Sequence, residues 1–486
     1  MNCYDVLVVG AGISGISAAV HLRQSDPGLT LQILEARDQI GGTWDLFRYP
    51  GVRSDSDMYT LGFSFKPWRH EHAIAAGQTI RDYLHETIDE YGLTPLIRTG
   101  HKVVSADWDS ASARWQVRVR IGESEQSLFC RFLYMGSGYY AYSGGYQPDF
   151  EQQERFQGRI VHPQSWPAHL DYAGKKVIVI GSGATAVTLV PAMAESAQHV
   201  TMLQRSPTWM ISRPARDALA LLLGKCLPTA FAYRLIRWRN ILLQRLLFNR
   251  SRKKPQQVGR WLLDQLRAQV PPDTDLKTHF QPRYNPWEQR LCLVPDSDFF
   301  TALSEGRASI VTDHIDHFEA DGIRLKSGAL LEADIIVTAT GLQLEFLSGM
   351  PVRVDGEPVI FGERFGYKGM MFEGVPNLIN VFGYTNSSWT LRAELVARYA
   401  CRLLAHMRRH GFSTAIPQPA NPGMTPAPWI DLTAGYVSRG VGQFPHQGDR
   451  EPWLFTQDYL VEKKRFEQGP VDDDMLFERA KSSAVA

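Results

Sequence analysis

The stretch DVLVVGAGISGISAAVHLRQSDPGLTLQILE, Asp5 to Glu35, decides the fold. An apolar run rich in β-branched residues flows into Gly10-Ala-Gly12-Ile-Ser14-Gly15 and then into a helical pattern; a second apolar run ends on an acid, Glu35. The order is strand, tight turn, helix, strand. Gly10 permits the turn, Gly12 lets a pyrophosphate approach the backbone, and Gly15 lets helix and strand pack closely. Phosphates would then lie on the helix N-terminus, with Glu35 placed for a ribose hydroxyl. A lone glycine triplet is weak evidence; in this context it reads as a dinucleotide site.

The pattern repeats. Val177 to Ile180 lead into Gly181-Ser182-Gly183-Ala184-Thr185-Ala186-Val187, and the next apolar run, HVTML, ends in Gln204-Arg205-Ser206. No acid stands where Glu35 stands in the first copy. A carboxylate there would repel a ribose 2′-phosphate, whereas Arg205 would pair with one. The first site therefore suits FAD and the second NADPH, although Arg205 also fits a solvated surface arginine.

FLYMGSG (Phe132 to Gly138) and DIIVTATG (Asp334 to Gly341) read as strands that close the two halves. HKVVSADW, containing Val103, reads as an added strand near the adenine end of the flavin site. GVPNLINVFGYTNSSWT (Gly374 to Thr390) would return the chain to the first half. The expected fold class is α/β, with two Rossmann-like dinucleotide-binding domains. Residues 1–150 and 342–486 form the FAD domain, 151–169 a linker, and 170–341 an inserted NADP domain. A helical basic insert spans about 208–285.

A chain of 486 residues suits two or three domains. Its formal net charge of +1 offers no global field for nucleic acid. Five cysteines, none spaced as C-x-x-C, read as reduced thiols of a cytoplasmic protein, and exclude the paired-cysteine flavin reductases. No metal site is expected. The N-terminus lacks a signal-peptide pattern, and no apolar run reaches the length of a membrane span.

Two longer motifs remain. The linker carries Phe156-x-Gly158, His162 and Trp166-Pro167 in FQGRIVHPQSWP. Residues 41–55 read GGTWDLFRYPGVRSD. With these motifs the chain resembles the class B flavoprotein monooxygenases, and within them the type I Baeyer–Villiger monooxygenases. Details such as YNPWEQRLCLVP are most similar to the ethionamide-activating branch. The resemblance covers nearly the whole chain.

The resemblance implies that NADPH reduces FAD, that O2 adds to give a C4a-peroxyflavin, and that this species inserts one oxygen atom into a ketone, giving an ester or lactone. It implies a catalytic Arg290 paired with Asp55, the arginine holding a fixed positive charge beside a developing anion. It places Thr43, Trp44, Asp45, Leu46 and Asp55 around the flavin, and Arg53 and Ser54 with Asp55 near NADP. His162 becomes a conformational control point, anchored by Phe156 and Trp166. From the residues alone, Asp55 also fits a turn cap, Arg290 a structural ion pair and His162 a structural histidine in a hinge. One departure is Gln289, where many relatives carry a lysine for the 2′-phosphate; the NADPH preference then rests on Arg205. The alternative activities are oxygenation of sulfides, amines or thiocarbonyls, and a non-catalytic dinucleotide sensor.

Residues 213–260 hold twelve Lys or Arg and one acid, Asp217, interleaved with Leu219, Leu222, Leu235, Trp238, Leu242, Leu246 and Phe248. Helical patterns are interrupted at Pro214, Pro228 and Pro255. Three roles stay open: peripheral contact with the inner face of a membrane, plain domain packing, or a homo-oligomer contact.

Overall fold

The computed structural model describes residues 3–421 and 423–480. Two sheets organise it, the first mixed and the second parallel. In the first, β1 (Cys3–Val9) lies between β2 (Leu31–Leu34) and β3 (Ser124–Met135), parallel to both. Helix α1 (Ile13–Ser25) crosses from β1 to β2. The antiparallel strands His101–Asp109 and Arg114–Ile121 extend this sheet beyond β3. Two strands from the far end of the sequence join it: Val352–Val354 beside His101–Asp109, and Leu378–Asn380 beside β3.

The second sheet is wholly parallel. Its central strand β4 (Lys176–Ile180) is flanked by β5 (His199–Gln204) and β6 (Ile335–Thr338). Ala308–Thr312 closes the β5 side. The β6 side is closed by Arg159–Val161, so the segment read as a linker supplies an edge strand. Its glycine explains the local fit. A Cβ on Gly158 would overlap the Asp334 carbonyl and the Phe156 ring, and Phe156 in turn meets Phe318 edge-on, centroids 6.4 Å apart.

The basic stretch folds as α2 (Ala218–Cys226), α3 (Thr229–Lys253) and α4 (Pro255–Arg267). Pro228 stands at the N-cap of α3 and Pro255 opens α4, positions where a missing N–H costs nothing. α4 packs on Trp209 and Leu291, near the second sheet. α3 does not. Its inner face rests on the flavin half: Tyr233 donates to the Phe63 carbonyl at 2.9 Å, and Asn240 to Asp57 at 2.8 Å. Arg237, buried, donates to the carbonyls of Tyr59 (2.8 Å) and Gly62 (2.6 Å), and pairs with Glu394 on α5 (Trp389–His410). The segment inserted in the NADP half by chain order thus packs partly on the FAD half.

Candidate active site

The first glycine loop is shaped by close approach. Gly10 has φ +100°, and a Cβ there would press on the Gly136 carbonyl; one on Gly15 would overlap the Gly10 carbonyl. Above the loop, Gly12 is the N-cap of α1 and faces Gly42, whose Cα would lie 3.4 Å from a Cβ at this position; a bare backbone at a helix start is what a phosphate needs to approach it. Ser14 Oγ accepts from Trp389 Nε1 at 2.8 Å. Glu35, at the end of β2, accepts from the amides of Ala11 (2.8 Å) and Arg37 (3.0 Å). Burial raises its pKa, and those two amide bonds work against the rise. Its backbone also accepts from His101 N–H, which brings the strand carrying Val103 beside the acid. An acid, a bare glycine amide and a helix start in this order fit the adenosine-diphosphate part of FAD.

The second loop is more open. A Cβ on Gly183 would meet nothing within 4 Å. Ser182 ties the loop to the end of β5 by donating to the Ser206 carbonyl at 2.9 Å. Ala186 and Val187 are buried in the core beneath, whereas Ala184 is exposed. Arg205 is exposed and has no acidic partner among the described residues. That is a charge available to a 2′-phosphate.

The GGTWDLFRYPGVRSD stretch proves to be a wedge between the halves. Thr43 to Leu46 form one helical turn on the flavin side. Phe47 and Tyr49 are buried in the core of the NADP half, and Leu46 packs against it. Gly51, at φ +75°, lies so close to the helix Ala184–Met193 of the NADP half that a Cβ would press on Ala192 and the Thr188 carbonyl. Asp45, expected around the flavin, has arginine partners that the sequence did not reveal. Its carboxylate, 2% exposed, receives Arg37 at 2.6 Å, Arg81 at 3.0 Å and Arg48. It therefore orients arginines beside Glu35. Ser54 is buried, accepting from the Ala75 amide at 3.0 Å, and Arg53 pairs with Asp298.

The wedge ends on Asp55. Asp55 Oδ2 lies 2.9 Å from Arg290 Nη2, although 235 positions separate them in the chain. The neighbouring carboxylate holds the Arg290 guanidinium above its ordinary pKa, outweighing burial, so its charge is permanent. Three tyrosines that sequence reading did not single out face this charge. The Tyr139 and Tyr140 hydroxyls are 2.7 Å apart, and Tyr139 stacks on Trp389, centroids 5.1 Å and planes 8° apart. Tyr436 comes from the C-terminal segment, which is fastened by Thr433 donating to the Glu288 carbonyl at 3.0 Å. Burial pushes all three hydroxyls up, while Arg290 pulls each back down. The segment GYYAY after β3 was the available signal.

His162 sits behind this site. Its Nδ1 accepts from the Gln164 amide at 3.1 Å, so Nε2 carries the proton and points to the Gly341 carbonyl at 3.3 Å. The ring abuts Gly145, where any Cβ would overlap it. Gln164 donates to the Ala141 carbonyl at 2.7 Å. The fingerprint thus holds together the two chain crossings between halves, near residues 141–146 and at Gly341. Trp166 packs against the NADP-half core; Pro167 is exposed and opens a turn to Leu170.

Two dinucleotide folds joined by double crossings, with a fixed cation between them, define a two-domain flavoprotein oxidoreductase. The model of the flavin-binding monooxygenase-like family matches residues 4–235. The chain is 49% identical over 473 residues to the FAD-containing monooxygenase EthA of Mycobacterium tuberculosis, covering 97% of each chain. It is 46% identical to the probable FAD-binding monooxygenase AlmA of Acinetobacter baylyi, over 99% of this chain and 97% of that one. The chain belongs to the flavin-binding monooxygenase-like family. Its fold matches an NADP-bound steroid monooxygenase with a TM-score of 0.77 at 22% identity, over 98% of this chain and 100% of that one. Cyclohexanone monooxygenase matches at 0.73 and 21% identity, over 86% and 90%.

Proposed function

We propose that this enzyme inserts one atom of O2 into a ketone, giving an ester or lactone, with NADPH as reductant. The observation that carries the reading is the Arg290–Asp55 pair, set at the tip of the interdomain wedge with Tyr139, Tyr140 and Tyr436 within reach of its field. FAD, when bound, supplies oxygen activation, and NADPH supplies the hydride.

The chain's own residues do the rest. Arg290 places a permanent positive charge where negative charge develops on oxygen during attack on a carbonyl, and such a preorganised charge stabilises the transition state most where water is excluded. Being locked in its protonated form, it does not neutralise that anion by giving up a proton. Asp55 aims the guanidinium and balances it between turnovers. Trp389 stacks on Tyr139 and holds that ring on the arginine's side of the flavin half. Gly10, Gly12, Gly15 and Glu35 would hold FAD, and Gly181, Gly183 and Arg205 would hold NADPH.

The test is a panel of aliphatic, cyclic and aryl ketones plus one sulfide, with products identified. Esters or lactones formed with NADPH and O2 consumed in equal amounts support the reading. Sulfoxide formation with no ester from any ketone would assign the enzyme to heteroatom oxygenation instead.

A further inference from the structure

The outer face of α3 is apolar and unpartnered. Phe231, Leu235, Leu242 and Leu246 are exposed, Leu246 to 62%. At 3.6 residues per turn these four fall within about 60° of arc, opposite the buried Tyr233, Ile236 and Asn240. The adjacent α2 adds Leu222, exposed to 57%. Arg234 flanks the stripe on one shoulder and Arg250 on the other, while Lys253 continues it at the helix end. All three are exposed, with no acidic partner among the described residues.

We propose that this helical hairpin docks on an anionic lipid surface. The occupant is argued from charge. Residues 213–260 hold twelve basic residues and one acid in a chain whose net charge is +1, so the rest of the molecule is net acidic. That separation turns the hairpin toward a negative surface and the remainder away from it. The single acid, Asp217, is already paired with Arg239. A second copy seated on the same face would set arginine shoulder against arginine shoulder with no free carboxylate between them. Headgroup phosphates meet both shoulders, while the leucines enter the acyl boundary and the arginine stems lie along it. The contact lies on the surface: among the described residues no helix is long and apolar enough to cross a membrane. The proposal stands independently of the reaction assigned above.

The experiment is flotation of the FAD-loaded enzyme with phosphatidylcholine vesicles, with and without phosphatidylglycerol. Two variants accompany it: Leu242→Gln/Leu246→Gln, and Arg234→Gln/Arg250→Gln/Lys253→Gln. All five residues are exposed, so flavin content and thermal midpoint should match the parent enzyme and show that the fold is intact. Binding is expected only to the anionic vesicles, lost at about 1 M salt, where the screening length falls to roughly 3 Å. The leucine variant should bind at least about tenfold more weakly, and the basic variant about fivefold more weakly for each charge removed. No binding to anionic vesicles at low salt would overturn the proposal, as would unchanged binding by both variants. A dimer that the leucine variant splits, without vesicle binding by the parent, assigns the face to a second copy and also overturns it.

Discussion

Arg237 of the long insert helix and Glu394 of Trp389–His410 form an ion pair 2.8 Å apart, with side chains only 7% and 5% exposed. One residue comes from the segment inserted between the halves and the other from the returning flavin half. Burial alone would raise the Glu394 pKa; Arg237, His21 and the Ser64 amide overcome it and bring it down to about 2.

Replacing Arg237 with methionine should lower unfolding stability by about 3–5 kcal/mol, because it leaves the buried Glu394 charge without its partner and strips Glu394 Oε2 and the Tyr59 and Gly62 carbonyls of the arginine's hydrogen bonds. The sign with pH follows from the depressed folded-state value. The stabilisation is complete above the ordinary glutamate pKa of 4.5 and is lost as pH falls toward 2. Urea unfolding at several pH values should show that acid-side loss shrinking in Arg237→Met.

Arg290→Ala should separate reduction from oxygenation. Flavin reduction by NADPH slows but survives, since the variant keeps both glycine loops. Product formation should fall by at least about 10²–10³-fold, with NADPH oxidation uncoupled and hydrogen peroxide released. Lysine should rescue poorly, lacking the planar fork that meets Asp55. Stopped-flow spectra and peroxide assays read the two half-reactions; near-normal coupling in the alanine variant would end the role given to Arg290.

Arg205→Ala should raise the KM for NADPH while leaving that for NADH nearly unchanged. A lost charge-assisted contact to the 2′-phosphate is worth about 1.5–3 kcal/mol, or roughly 10- to 150-fold. Steady-state kinetics with both cofactors decide it. Equal losses would show that Arg205 reads no phosphate.

His162 should make the enzyme acid-sensitive. Burial lowers its pKa below 6.5, and its Nδ1 must stay unprotonated to accept the Gln164 amide. Stability is flat above the unfolded-state pKa and falls as pH drops below it, levelling once the folded-state value is passed. His162→Asn should start from a lower thermal midpoint at pH 8 and lose less of it on acidification. Gly145→Ala should lower the midpoint as well, since a Cβ there displaces the ring.

Both glycine loops were legible in the sequence because a tight turn and a phosphate approach demand glycine at set spacing, whatever lies elsewhere. Arg290 and Asp55 were legible only through family resemblance, since nothing local links residues 235 positions apart. The three arginines around Asp45 were not legible: Arg81 arrives from a separate helix, and an arginine in isolation looks solvated. Periodicity marked α3 as basic and helical, but could not tell which face was inner. Arg237 breaks the pattern, a charged residue on the buried side satisfied by carbonyls that only the tertiary fold brings near.

In mechanical terms α3 is a stator. It belongs to the NADP half by chain order and is fastened to the flavin half by packing, whereas α4, which follows at Pro255, rides on the other half. A relative rotation of the two halves would therefore not carry the insert along as one piece. The break in its helical backbone falls at Lys254, φ −137° and ψ 57°, between the part of the insert that Arg237 anchors and the part that Trp209 covers.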